Sequence, residues 1–259
     1  MAIITLTSDW GHIDHYLGAI KGKILKLLPE ARIIDISHHI TPFNIEQAAF
    51  IIKNSYTNFP EGTIHIIAIN TEESTTHPHT IVYIDGQYFI GTDTGIFSLI
   101  FNKKPDKIIE LDILQDSDYF TFSTRDRFVN AAVRLAKGED LEKLGDLKDS
   151  INQKILFEPV TEKNVIKGIV SYIDSYENLF TNISENLFKQ VGKGRQFSIY
   201  FRTNEVNKIN KSYNDAPEGE IIAIFSSTGL LQIAINKGNA SSLLGMSHKD
   251  PIRIEFKEE

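Results

Sequence analysis

The first part of the chain alternates apolar, β-branched runs with segments of helical period, and this alternation restricts the fold more than any other feature. Ile3 to Thr7 predicts a buried strand. From Ile13 to Leu28 an Ile or Leu recurs every three or four residues, and Pro29 then ends the predicted helix. Further strands are predicted over residues 32–36, 63–69, 80–84 and 88–92, and further helices over 45–56, behind a capping Asn44, and over 127–137. The pattern is typical of βαβ units, so residues 1–150 are predicted to form an α/β domain with a mainly parallel central sheet.

After about residue 150 the helical periods nearly vanish and short apolar strands recur. Strands are predicted over residues 165–173, 196–201, 220–225, 230–236 and 252–256. We therefore expect a smaller β domain over residues 165–259, joined to the first domain by a mostly polar linker over 151–164.

Composition excludes several classes of protein. The chain has no cysteine, which rules out disulfides and thiolate metal sites. Its net charge of −7 and scattered lysines argue against a nucleic-acid surface. No apolar stretch approaches the roughly 20 residues of a membrane span, and no signal-peptide pattern begins the chain. We expect a cytoplasmic protein with a small-molecule ligand, without nucleic acid or membrane partners.

Asp9 follows the first predicted strand, at the edge where open α/β sheets bind ligands. A carboxylate there can accept both hydrogens of a ribose diol, while the bland interpretation of Asp9 or Asp14 is a helix cap. A metal site is the other alternative, since imidazoles and carboxylates ligate zinc, iron or manganese. Its candidate ligands are His12, Asp14, His15, Asp35, His38 and His39, with a separate pair at His77 and His79. Their spacing fits no specific metal signature, and solvated loop histidines are the favoured interpretation.

The β domain contains an acidic, an aromatic and an amide side chain within one turn, at Asp174, Tyr176 and Asn178. This set can recognise the ammonium of an amino acid or stack on a purine. The alternative is a turn in which Asp174 and Asn178 satisfy their own backbone. No Walker loop, GxGxxG or GxSxG motif occurs, so the commonest nucleotide-phosphate and serine-hydrolase sites are excluded.

Taken together, seven segments resemble the S-adenosylmethionine hydroxide adenosyltransferases, a family that also contains the bacterial fluorinase and chlorinase. The segments are TSDWGHIDHYLGAIKG (7–22), DISHHITPFNIEQAA (35–49), FPEGTIHIIAIN (59–70), YFIGTDTGIFSL (88–99), TFSTRDRFVNAAVRLAKG (121–138), IDSYENLFTNI (173–183) and SSTGLLQIAINKGNASSLLG (226–245). The resemblance implies an N-terminal α/β domain, a C-terminal β-barrel, and a homotrimer whose sites lie between one subunit's first domain and a neighbour's second. It also implies attack of water or halide at C5′ of S-adenosylmethionine, which is substrate and not cofactor, with no cofactor or metal.

The resemblance carries substrate-binding roles over to nine positions. They are Asp9 for the ribose diol, Phe43 beside the sugar, Asp174 for the methionine ammonium, Tyr176 over the adenine with Asn178 beside it, Ser227 near the methionine carboxylate, and Asn236, Gly238 and Ala240 in the turn that reads the adenine edge.

The chain departs from the hydrolytic members at the water site. Where they carry an aspartate, an arginine and a histidine, this chain has Asn70, His77 and Ser123. Asn70 cannot act as a carboxylate base, and His77 lacks the always-charged planar fork of arginine. Thr124 occupies a position that is serine or glycine in the halogenases.

The sequence leaves three main hypotheses open. The first is a hydrolase that forms adenosine and methionine, with water held by Asn70, Ser123, Thr124 and His77. The second is a non-catalytic binder of S-adenosylmethionine or adenosine, and the third is a metal-dependent hydrolase. Halogenation is disfavoured, because two acidic side chains in the loop after Asn70, Glu72 and Glu73, would repel a halide.

Overall fold

The computed structural model describes residues 2–258, and the chain divides into two compact units that meet in sequence at Ile155 and Leu156. In the first unit the elements are, in order, β1 (Ile3–Ser8), α1 (His15–Leu27), β2 (Arg32–Ser37), α2 (Ile45–Lys53), a 3-10 turn (Tyr56–Asn58), β3 (Ile64–Ala68), β4 (His79–Ile84), β5 (Gln87–Thr92), α3 (Ile96–Ile100), β6 (Lys107–Leu111), a π-helical turn (Thr124–Phe128), α4 (Val129–Ala136), a 3-10 turn (Leu141–Leu144) and β7 (Gly145–Leu147).

The central sheet of this unit has the strand order β2-β1-β3-β5-β4-β6-β7. The pairs β1–β2, β1–β3 and β3–β5 are parallel, whereas β5–β4, β4–β6 and β6–β7 are antiparallel. The α/β class is confirmed, but the sheet is mixed and not mainly parallel. The tight turn at Asp85 and Gly86, both with positive φ, folds β4 and β5 into a hairpin, as the dipeptide predicts, and so reverses the strand direction.

Helices cover both faces of this sheet, and consecutive strand residues face opposite cores. Ile66 packs in the core formed with α1 and α4, whereas Ile67 packs with α2 and α3. All five residues of β3, His65 among them, are buried, as expected of a central strand that is covered on both faces.

The helix boundaries differ from prediction by a few residues. Asn44 caps α2 as predicted, because its Oδ1 accepts the Gln47 amide at 3.0 Å. Asp14 occupies the N-cap position of α1, but within the described chain its side chain makes no capping hydrogen bond. The helix predicted over residues 127–137 begins earlier, as the π-helical turn that starts at Thr124 and continues into α4.

In the second unit the elements are β8 (Val160–Glu162), β9 (Val165–Ile173), β10 (Leu179–Ser184), α5 (Glu185–Gly192), β11 (Phe197–Phe201), β12 (Asn204–Val206), a 3-10 turn (Tyr213–Asp215), β13 (Ile221–Phe225), β14 (Leu230–Ile235), α6 (Ala240–Leu244) and β15 (Pro251–Phe256). The strands form one antiparallel sheet in the order β12-β11-β15-β9-β10-β14-β13, with β8 paired to β9. The two ends of the sheet approach each other, since the Asn210 amide donates to Ala223 O at 2.7 Å. This near-closure gives the expected barrel-like domain.

Neither helix of the barrel unit, α5 or α6, was predicted. α5 is capped by Ser184, whose hydroxyl accepts the Leu187 amide at 3.2 Å. Its apolar face, with Leu187, Phe188 and Val191, packs against the barrel core. The helix is only eight residues long, so its period is easily taken for loop sequence.

Candidate functional site

Asp9 and Phe43, which are 34 residues apart, lie together at the carboxyl edge of β1. The Phe43 backbone amide donates to Asp9 Oδ2 at 2.8 Å. Phe43 has φ of +65°, unusual for a residue with a side chain, and the residue is 72 % exposed. An exposed aromatic held in a strained backbone conformation is typical of a ligand contact. A carboxylate offers about four lone-pair sites, so after this bond Asp9 retains the acceptor capacity that a diol needs.

A buried serine and histidine stabilise the strand ends behind Asp9. Ser8 Oγ lies 2.6 Å from His38 Nδ1, and His38 Nε2 lies 3.2 Å from Asp35 Oδ1. Burial lowers the pKa of His38 despite the carboxylate nearby, so the ring is neutral. Its nitrogens are directed at Ser8 and Asp35, not at a common metal.

This arrangement argues against His38 as a metal ligand, and the other candidate histidines do not complete a site. His12 is exposed and contacts the His38 and His39 rings at centroid distances of 5.1 and 4.9 Å, and His15 is also exposed. Over residues 2–258, no group of three or more histidine, aspartate or glutamate side chains has a metal-binding arrangement.

Asn70, Ser123 and Thr124 belong to segments that adjoin Asp9. Ser8 of β1 is paired with Ala68 of β3, so the residues that leave these two parallel strands lie side by side. Asn70 is exposed and has φ of +49°. On the other side, the Trp10 ring meets the Phe122 ring at 5.8 Å, directly before Ser123. Ser123 and Thr124 are buried.

His77, in contrast, is turned toward its own loop. Its Nδ1 lies 3.4 Å from the hydroxyls of Ser74 and Thr76, and the ring is exposed. The side-chain amide of Asn152 donates to Thr76 O at 2.8 Å and fixes this part of the loop. The structure thus gives His77 no contact with Asn70, Ser123 or Thr124 among the described hydrogen bonds.

Glu73, His79 and Arg127, which the sequence did not bring together, form a polar group in the same region. Glu73 makes an ion pair with Arg127 of the π-helical turn, and Glu73 Oε1 lies 3.7 Å from Nδ1 of His79. His79 is fully buried, and its Nε2 donates to Thr71 O at 2.9 Å. Burial lowers the pKa of His79 below its ordinary value. The sequence offered only the pair His77 and His79 as a signal, and Glu73 and Arg127 are 54 residues apart.

The barrel unit contains a cavity of about 540 Å³ that collects most of its predicted site residues. Its lining consists of Asp174, Ser175, Tyr176, Asn178, Tyr213, Ile235, Asn236, Lys237, Gly238 and Asn239. The volume suits a small organic ligand, and the lining combines aromatic rings with amide and carboxylate groups. Tyr213 was missed by sequence reasoning. Its hydroxyl donates to Gln232 Oε1 at 3.1 Å, which holds the ring in place.

Asp174 organises the turn at the mouth of this cavity. Its Oδ1 accepts the backbone amides of Tyr176 at 2.9 Å and Asn178 at 2.8 Å, and its Oδ2 accepts the Asn178 side-chain amide at 3.0 Å. The side chain therefore satisfies its own turn, as the alternative interpretation expected. These three bonds leave about one of the four lone-pair sites for an external ammonium. Tyr176 is 76 % exposed, with its ring available for stacking.

Glu177 joins this turn to the start of α6. Its carboxylate accepts the Ser242 amide at 2.8 Å and the Asn239 side-chain amide at 3.1 Å. Hydrogen bonding from Ser242 and then Asn239 lowers the pKa of Glu177. A Cβ added to Gly238 would lie 2.6 Å from Cγ2 of Ile235, so the turn before α6 requires glycine. Glu177, with φ of +62°, is a second residue that sequence reasoning missed.

The remaining candidates occupy less exposed or more distant positions. Asn236 donates through Nδ2 to Ala216 O at 2.8 Å, and Ala240 is fully buried at the first position of α6. Ser227 is exposed in the turn between β13 and β14 and is not part of the cavity lining described above.

Comparison with known proteins connects both units to one family. Models of the SAM hydroxide adenosyltransferase N-terminal and C-terminal domains match residues 4–145 and 168–253. An (R)-S-adenosyl-L-methionine hydrolase of Methanocaldococcus jannaschii is 31 % identical over 98 % of this chain and 96 % of its own length. A fluorinase of Actinopolyspora mzabensis is 22 % identical over 97 % of this chain and 96 % of its own. The crystal structure of an uncharacterised conserved protein from Thermotoga maritima superposes with a TM-score of 0.88 at 29 % identity, covering 97 % of this chain and 99 % of that one. The chain belongs to the SAM hydroxide adenosyltransferase family.

Proposed function

We propose that this protein is an S-adenosyl-L-methionine hydrolase that forms adenosine and L-methionine. The observation that carries the proposal is Asp9, fixed beside the exposed Phe43 ring at the carboxyl end of β1, where a ribose diol would be bound. The name of the Methanocaldococcus relative, an (R)-S-adenosyl-L-methionine hydrolase, supports the same reaction.

In this reaction the main task of the protein is to position the substrate and the attacking water. A sulfonium is an excellent leaving group, so the site must hold C5′ in line with a water molecule and exclude competing solvent. In this proposal Asp9 holds the ribose, and Asp174 takes the methionine ammonium with its remaining lone pair. Tyr176 stacks on the adenine with Asn178 beside it, and Asn236, Gly238 and Ala240 form the adenine-reading turn. Ser227 is assigned to the methionine carboxylate.

At the nucleophile, Asn70, Ser123, Thr124 and His77 are the residues first expected to hold the water. The buried hydroxyls of Ser123 and Thr124 suit that role better than His77, which is bonded within its own loop. S-Adenosylmethionine is substrate, and the proposal requires no cofactor.

The proposal extends to assembly and location. We propose a homotrimer with its ligand sites at subunit interfaces, as the family resemblance implies, acting in the cytoplasm. Within residues 2–258, no helix has the length and apolarity to cross a membrane.

A second candidate is a non-catalytic binder of S-adenosylmethionine or adenosine. Asn70, an exposed amide where hydrolytic relatives are expected to carry a carboxylate, favours it. The two are separated by incubating the purified protein with S-adenosylmethionine and measuring adenosine by chromatography, with and without chloride and a chelator. Adenosine release that survives chelation supports the hydrolase. A thermal shift without turnover supports the binder, and activity restored only by added metal refutes both.

A further inference from the structure

Three buried polar atoms in one region of the first unit have no hydrogen-bond partner among residues 2–258. They are Oγ1 of Thr124, Nε of Arg127 and Nδ1 of His79. Thr124 and His79 are fully buried, so bulk solvent cannot supply hydrogen bonds to these atoms. An unpaired buried polar group destabilises the folded protein, so such atoms are usually satisfied by a bound water or ligand.

These atoms come from two segments that are fastened together. The His79 ring meets the Phe128 ring edge-on at a centroid distance of 4.7 Å, and Phe128 ends the π-helical turn that Thr124 begins. The ion pair between Glu73 and Arg127 joins the same turn to the loop after β3. Arg127 also donates to Leu111 O at 3.1 Å, which anchors its guanidinium. π-Helical turns are frequent at functional sites.

The hydrogen bonding of His79 determines which of its ring nitrogens faces Glu73. His79 Nε2 carries a hydrogen, because its partner Thr71 O can only accept. In the neutral ring, Nδ1 therefore presents a lone pair to the Glu73 carboxylate 3.7 Å away. Two acceptors face each other, so a proton delivered to either group is stabilised by the other. The Glu73 side chain is 39 % exposed, so it can also be reached by a ligand.

Glu73 belongs to a loop at the same edge of the sheet as Asp9. The loop that contains it leaves β3 next to the point where Asp9 leaves β1, since Ser8 and Ala68 are register partners. A ribose held by Asp9 would therefore lie at the same edge of the sheet as this loop.

We propose that Glu73 is the general base for the attacking water, a role that Asn70 cannot perform. This inference rests on the proposed hydrolase function. As the water oxygen bonds to C5′, the C5′–S bond breaks, its electron pair goes to the methionine sulfur, and the water proton passes to Glu73 and is shared with His79 Nδ1. Arg127 is a positioning residue that fixes the carboxylate, and the Thr124 hydroxyl orients the water. The proton is later released to solvent, which balances the reaction.

The test uses the full-length protein with Glu73→Gln, and Glu72→Gln as the matched control in the same loop. Glu73→Gln is expected to lower kcat about 100-fold or more with the Kd for S-adenosylmethionine nearly unchanged, and to lower the melting temperature, because Arg127 loses its ionic partner. Glu72→Gln should leave all three unchanged. In Glu73→Ala, added formate is expected to restore part of the turnover, since it supplies a carboxylate to the vacated place. For the positioning role, Arg127→Lys should retain more of kcat than Arg127→Met at equal KM.

Each failure has a distinct meaning. If the unaltered protein releases no adenosine, both the hydrolase function and the assignment of Glu73 are refuted. If the unaltered protein is active and Glu73→Gln retains its kcat, only the assignment of Glu73 is overturned. An equal loss of kcat in Glu72→Gln, or a Glu73→Ala defect that formate does not relieve, also contradicts it.

Discussion

Replacing Asp9 by alanine is expected to weaken the binding of S-adenosylmethionine about 100-fold. The carboxylate would make two hydrogen bonds to the ribose diol, and hydrogen bonds to charged groups contribute about 1.5–3 kcal/mol each, so the lower bound is about 3 kcal/mol. The ribose hydroxyls do not react, so ground state and transition state lose the same free energy. KM should therefore rise while kcat changes little.

The same substitution frees the Phe43 amide, which is held at 2.8 Å from Asp9 in a strained backbone conformation. Losing this bond is expected to destabilise the protein by about 1 kcal/mol, a decrease in Tm of about 2–4 °C. Isothermal titration calorimetry and steady-state kinetics measure the two effects separately. Asp14→Ala is the matched control, since Asp14 is exposed and makes no capping bond within the described residues. Unchanged affinity in Asp9→Ala, or an equal loss in Asp14→Ala, would refute the ribose assignment.

Three further predictions concern stability and the barrel cavity. Burial lowers the pKa of His65 from 6.5 to about 4, so the unfolded chain binds a proton at a higher pH than the folded protein does. The free energy of unfolding should therefore fall by about 3 kcal/mol as the pH drops from 6.5 to 4. Urea unfolding across this range checks the slope, which His65→Gln should reduce. Gly238→Ala brings a Cβ to 2.6 Å from Ile235, and the overpacking should cost about 1–3 kcal/mol in a denaturant titration. Glu177→Ala removes the bonds to the start of α6 and is expected to weaken adenosine binding about tenfold by calorimetry, with intact affinity ruling out its positioning role.

The sequence predicted what depends on local pattern. The apolar run before Asp9 gave β1, Asn44 gave the start of α2, and Asp85 with Gly86 gave the hairpin. The strand β9 was predicted at its observed boundaries, because β-branched residues fill it and a turn follows directly.

The sequence did not predict what depends on distant pairing. The bond between Asp9 and the Phe43 amide is a backbone contact, which no side-chain motif records. In the sequence, Glu73 stood out only as a negative charge and Arg127 only as the first residue of a predicted helix. Their ion pair forms because the loop after β3 meets the π-helical turn, and the sequence does not show that contact. Pairing with Arg127 also offsets part of the negative charge that disfavoured a halide at this site.

Incubation with S-adenosylmethionine in ¹⁸O-labelled water tests the central claim most directly. Mass spectrometry of the products reports both the reaction and the position of attack. A hydrolase of this kind is expected to give equimolar methionine and adenosine, with one ¹⁸O atom in the adenosine 5′-hydroxyl and none in methionine. Intact substrate, or a label in any other product, would contradict attack of water at C5′.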